Sequence, residues 1–153
     1  MTYDASTYRD LFNNYQGYTW AAYRMLMKHI PSDAVKVLSI GSGLGDIEAK
    51  LPFDVTCYDP YSPVVEYHNK PTQSFDYSFC YNAVVSSASP DEKRGIVDYA
   101  LSVSPVFLVD RLFQTWTHSD DCFDYTEWDA DTLFSGYSYK SLGYRFYEVS
   151  HVS

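Results

Sequence analysis

The sequence predicts a doubly wound α/β sandwich, a mostly parallel sheet with helices on both faces, and three observations lead there. Apolar segments of strand length recur along the chain at Val35–Ile40, Phe53–Asp59, Asp76–Val84 and Val106–Val109. Helix-spaced or helix-starting segments separate them, which is the alternation that builds parallel βαβ units. The turn after the first strand sets Gly41, Gly43 and Gly45 at alternate positions. Glycine costs chain entropy wherever neither its positive φ nor its lack of a side chain is used, so this spacing suggests a ligand.

Taken in order, Tyr8, Leu11, Phe12 and Tyr15 keep the i, i+3, i+4, i+7 rhythm of an amphipathic helix, with Asp4 or Ser6 as its cap. A second helix is expected from Tyr18 to Ile30, ended by Pro31. The first strand is apolar except at Ser39, as suits a strand buried on both faces. A short helix is expected after the glycines, through Lys50 and stopped near Pro52, and then the second strand. Residues 60–74, "PYSPVVEYHNKPTQS", carry prolines and little periodicity, so the sheet is expected to be reduced in the middle.

The third strand leads into the clearest helix start in the chain. Ser89 can cap, Pro90 takes the first helical position, Glu92 completes a capping box, and Ile96, Val97, Ala100 and Leu101 form the buried stripe. The fourth strand ends at Asp110. Beyond the polar aromatic loop "RLFQTWTHSDDCFDY", Thr126 is expected to cap a last helix toward Gly136, and Tyr144–Val152 alternates like a single final strand, a reduced C-terminus. Residues 1–153 read as one domain, with N-terminal helices in 1–30 and the core in 35–152.

Composition narrows the function classes. Twenty acidic residues against eleven basic ones give a formal charge of −9, which argues against direct nucleic-acid binding and against anionic lipid surfaces. No run reaches membrane-span length and the polar start Met1-Thr2-Tyr3-Asp4 lacks signal-peptide character, so a cytoplasmic location is expected. Cys57, Cys80 and Cys122 are scattered, indicating neither a disulfide framework nor a zinc site. Sixteen tyrosines suit half-buried positions, and an aromatic surface of this kind is also what a homo-oligomer would use.

In such sheets ligands bind beyond the carboxyl ends of the strands, where the glycine turn sits. Asp59 ends the next strand, and a carboxylate there can accept hydrogen bonds from the vicinal hydroxyls of a ribose. The pattern is G-x-G-x-G and not G-x-G-x-x-G, and Asp46 and Glu48 follow in the first turn, where negative charge opposes a phosphate. A ligand with a ribose and no pyrophosphate fits better. A tight turn followed by an ordinary surface acid would leave the same residues.

"LSIGSGLG" and "VTCYDP" resemble the first motif and second-strand acid of the class I S-adenosylmethionine-dependent methyltransferases, and "SFDYSFCYNAVVSSASPDEKRGIVDYALSVSPVFLVDRL" is similar to their fourth strand, following helix and fifth strand. The resemblance implies a compact Rossmann-like three-layer sandwich and S-adenosylmethionine as cofactor. By position it implies that Ser39, Gly41, Ser42 and Gly43 lie against the methionine part, with Gly45 also among the cofactor-binding residues. Asp59 would hold the ribose, Pro60 and Tyr61 would flank the adenine, and Ser74, Phe75 and Asp76 would line its far edge. Tyr81 would face the sulfonium. Tyr81 and Asn82, with His118 from the later loop, would orient or deprotonate a methyl acceptor. The sequence departs from the family at Ser39, where an acid is usual.

The implied reaction is methyl transfer to a small molecule or a protein side chain. The alternatives are a non-catalytic cofactor-binding or interaction protein of the same shape, and a subunit of a nucleic-acid methyltransferase complex. His118 with Asp120 and Asp121 lacks a fourth ligand and is a poor metal site. No serine or cysteine has the setting of a hydrolase nucleophile.

Overall fold

The computed structural model describes residues 16–81, 90–110, 114–115, 126–127, 130–143 and 146–153. The expected helix over 4–15 lies outside them, as do Ser89 and residues 82–84 of the expected third strand. Helix α1, Gln16–His29, stops just before Pro31, whose ring excludes the helical conformation from the residue preceding it. Strands β1 (Lys36–Ile40), β2 (Asp54–Tyr58) and β3 (Tyr77–Cys80) follow. Helix α2, Pro90–Val103, opens on the expected proline and leads to β4, Val106–Asp110. Beyond it come β5 (Gln114–Thr115), β6 (Thr126–Glu127), the four-residue helix α3 (Ala130–Leu133), β7 (Tyr137–Gly143) and β8 (Phe146–His151).

The six-stranded sheet runs β2-β1-β3-β4-β8-β7. β1 pairs in parallel with β2 and β3, and β3 with β4, whereas β8 is antiparallel to both β4 and β7. Val37 to Ile40 of β1 are all buried, as a central parallel strand requires. Alternation along the strands feeds two cores. Leu38, Ile40, Phe107 and Val109 pack with Val97, Ala100 and Leu101 of α2, while Val37, Phe79 and Leu108 pack with Ala22, Leu26 and Ile47 on the opposite face.

Four expectations need correction. The short helix after the glycines is a 3₁₀ turn, Glu48–Lys50, because Leu51 precedes Pro52 and is extended at φ −79°, ψ 141°, leaving too few residues for an α-helix. The C-terminus is not reduced to one strand, for β7 pairs with β8 over its length, interrupted by a register shift between Ser141 and Gly143. Thr126 caps no helix; it pairs with Thr115 in a separate two-stranded ladder, and the last helix is confined to Ala130–Leu133. The third strand runs only from Tyr77 to Cys80, with Asp76 before it and Tyr81 after it already outside the ladder. The reduced middle is present as expected. Between β2 and β3 there is one 3₁₀ turn, Val65–His68, and no strand, which makes β2 an edge.

Candidate functional site

The carboxyl ends of β1, β2 and β3 converge on the glycine turn. Gly41, Gly43 and Gly45 have φ of 77°, 59° and 78°, the left-handed region open to glycine at no steric cost. The amide of Gly41 donates to the carbonyl of Tyr58, tying the turn to the end of β2. A Cβ on Gly45 would stand 2.6 Å from the Tyr67 hydroxyl, so that glycine serves a close approach as well as its φ.

Asp59 is 1% exposed and fastens this corner from the β2 side. Its Oδ2 accepts from the Gly43 amide at 2.9 Å and its Oδ1 from the Tyr61 amide at 2.9 Å. The chain then folds back onto the glycines: the Ser62 hydroxyl donates to the Gly43 carbonyl and accepts from the Val64 amide, and His68 Nε2 donates to the Ser62 carbonyl at 2.6 Å. The Asp59 amide donates in turn to the Tyr67 carbonyl. Pro60 and Tyr61 are exposed at the rim.

The β1 side holds a second carboxylate. Glu48, from the 3₁₀ turn, is 5% exposed, and its Oε1 accepts from the Ser39 hydroxyl at 2.8 Å. Its Oε2 has no hydrogen-bond partner among the described residues. Burial pushes the Glu48 carboxyl up to about 7, the Ser39 hydrogen bond opposes that, and the Asp46 and Asp59 charges add to it. Ser42 Oγ is buried in the same corner, beside Cys57, and likewise lacks a partner in ordinary hydrogen-bond geometry.

Tyr81 follows β3 and lies on the Glu48 face, its ring 5.6 Å from that of Phe79. Burial first, then the charges of Glu48 and Asp46, hold its phenol well above the usual tyrosine value, so it stays protonated at neutral pH. It can donate a hydrogen bond and cannot take up a proton. The Cys57 thiol is pushed up to about 11, chiefly by burial and then by Glu48, so it is no thiolate nucleophile.

The structure brings together Ser39, Gly41, Ser42, Gly43, Gly45, Asp59, Pro60, Tyr61 and Tyr81 at one end of the sheet. Ser74, Phe75 and Asp76 are at the other end. Asp76 Oδ2 accepts from the amides of Val35 and Lys36, at the amino end of β1, and the Phe75 amide donates to Val103 at the end of α2. With no strand between β2 and β3, these three residues lead straight into the amino end of β3 and cannot edge a ligand at the carboxyl ends. Asn82 and His118 lie outside the described residues. Sequence reasoning overlooked Glu48 as a member of the site; the available signal was a serine at the family's acid position with a carboxylate three residues beyond the last glycine.

No protein-family model and no curated protein matches the sequence. Solved structures do. DhpI in complex with SAH superposes with a TM-score of 0.60 at 15% identity, covering 97% of this chain and 92% of that one. Magnesium protoporphyrin IX methyltransferase ChlM from Synechocystis, with bound SAH, gives 0.60 at 12% identity over 94% and 86%. The chain has the class I methyltransferase fold. An S-adenosylmethionine-dependent methyltransferase from Clostridium acetobutylicum repeats the match, with a TM-score of 0.53 at 10% identity over 96% of this chain and 100% of that one. Within that methyltransferase fold, the polar corner described above lies at the ligand end of the sheet.

Proposed function

We propose that the protein binds S-adenosylmethionine at the glycine turn and directs its methyl group to a nucleophile on a small molecule or a protein side chain. The observation that carries this reading is the corner itself: three positive-φ glycines, the middle one tied through its amide to Asp59, with a buried carboxylate, Glu48, on the other side of the same turn. The solved structures of the same fold, DhpI and ChlM among them, hold SAH or S-adenosylmethionine.

The residues fit the cofactor at its amino-acid end. Ser39 and Ser42 supply hydroxyls and Glu48 a carboxylate oxygen with nothing bound to it. Asp59, which accepts from the Gly43 amide on one oxygen and the Tyr61 amide on the other, is the carboxylate beside the turn that would meet the ribose hydroxyls. At 1% exposure, that contact requires the 60–64 segment to give way.

The bound donor would supply an already activated methyl group. The chain's own contribution is then to hold the acceptor in line and keep water out. Tyr81, neutral and donating, orients the acceptor and does not deprotonate it. Asn82 and His118 remain the proposed partners for orientation and proton removal, and the protein is proposed to work in the cytoplasm.

A second reading is a protein of this fold that binds partners and no longer methylates. The closure of residues 59–64 over the glycine turn favours it, since the ribose acid is already engaged by backbone. Titration calorimetry with S-adenosylmethionine and S-adenosylhomocysteine separates the two. The methyl-transfer reading expects micromolar binding that Asp59→Ala weakens by tenfold or more, followed by transfer to some member of an acceptor panel. Absence of binding in the wild type would overturn it and favour the partner-binding reading.

A further inference from the structure

Glu48 is the one carboxylate in the corner whose second oxygen is buried without a partner among the described residues. Burying a carboxylate is costly unless a donor or a positive charge meets it. Ser39 donates to only one oxygen. No lysine or arginine of the described residues forms a salt bridge with Glu48. The charged groups facing it, Asp46 and Asp59, are both acidic and make its ionisation harder. A ligand that carries both a positive charge and N–H donors would complete this site.

S-Adenosylmethionine carries two cationic groups. Its sulfonium has no hydrogen to donate, whereas its α-ammonium has three. We infer that Glu48, held by Ser39, binds the α-ammonium group of the cofactor's amino-acid end. The inference rests on the methyl-donor reading and deepens it: the acid absent from the end of β1 is supplied from the 3₁₀ turn, nine residues further along, with the serine as its hydrogen-bonded support.

Binding of an ammonium at this position is coupled to proton release, because the carboxyl sits near 7 in the free protein. Cys57 at about 11, Tyr67 at about 12 and Tyr81, raised by burial above the usual tyrosine value, stay protonated between pH 6 and 8 and do not contribute. Over that interval the ionised fraction of a carboxyl titrating near 7 rises about tenfold.

The test is calorimetric titration of the full chain with S-adenosylhomocysteine and with 5′-methylthioadenosine, which has the adenosine and thioether but no amino-acid end. In the wild type, affinity for S-adenosylhomocysteine should rise about tenfold from pH 6 to 8 while that for 5′-methylthioadenosine stays flat. Glu48→Gln should weaken S-adenosylhomocysteine by roughly 10- to 100-fold, remove its pH dependence, and leave 5′-methylthioadenosine within about twofold. Ser39→Asp in the Glu48→Gln background should restore part of the loss. Equal weakening of both ligands, or a flat wild-type profile for S-adenosylhomocysteine, would overturn the ammonium assignment while leaving the methyl-donor reading standing. Failure of the wild type to bind either ligand would overturn both. The wild-type pH comparison decides the matter even if Glu48→Gln does not fold.

Discussion

The two ends of the parallel strands use the same device in opposite surroundings. At the carboxyl end Asp59 accepts from two backbone amides, Gly43 and Tyr61, and is buried. At the amino end Asp76 accepts from two backbone amides, Val35 and Lys36, and is exposed. Each carboxylate ties a neighbouring segment to β1 or to the turn that follows it. Water can replace Asp76 for its two amides, but the Gly43 amide under Asp59 is buried away from it. Only the buried end therefore concentrates unsatisfied polarity, and that is where Glu48 and Ser42 keep polar atoms in reserve.

The largest way to break this contrast is Asp59→Ala. It strands the buried Gly43 amide and removes one of the ties between the turn and the β2 side, so chemical denaturation should report a loss of about 2–4 kcal/mol, with ligand binding weakened by tenfold or more. A loss as small as that at an exposed site would mean that water reaches the corner. Next comes Glu48→Gln. Because the folded protein holds the Glu48 proton more tightly than an unfolded chain does, ionisation costs stability as pH rises from about 4.5 through 7. Relative to the wild type, the glutamine variant should gain on the order of 3 kcal/mol between pH 4.5 and pH 8, measured by urea unfolding at each pH.

Gly45→Ala should cost about 1–2 kcal/mol, part from its positive φ and part from the Tyr67 hydroxyl. Adding Tyr67→Phe removes the clashing atom and should return the second part alone, which a thermal-melt double-mutant cycle will resolve. The smallest effect belongs to Asp76→Asn. Two backbone hydrogen bonds hold the Asp76 carboxyl below its ordinary value of 3.8, so its contribution is present above that pH and fades as pH falls through the folded value. The variant should lose a little stability at neutral pH, show no difference at strongly acid pH, and bind ligand like the wild type.

The contrast also explains what the sequence disclosed. β1, the glycine turn and α2 were legible because their causes are local: an unbroken apolar run, residues that need positive φ, a proline at a first helical turn. Asp59, expected to close β2, stands one residue beyond its end at Tyr58 and beside the glycine turn, because the strand end fixes where the next residue goes. Asp76 was misplaced because its position depends on a strand between β2 and β3 that this chain lacks. β7 was missed because an edge strand exposes most of its side chains, leaving only half-buried Tyr137, Tyr139 and Leu142 to betray an alternation. Glu48 escaped notice because its acceptor role arises from a turn too short to be a helix. The sequence showed only an acid at a helix start.

The order of the sheet has a consequence for the flank of β4. β8, the last of the described strands in sequence, is not at an edge; it lies between β4 and β7 and supplies the only ladder that β7 has among the described residues. The flank of β4 is therefore closed by residues 146–151 alone, whereas the pairings that frame the glycine corner, β1 with β2 and β1 with β3, are all made within residues 36–80.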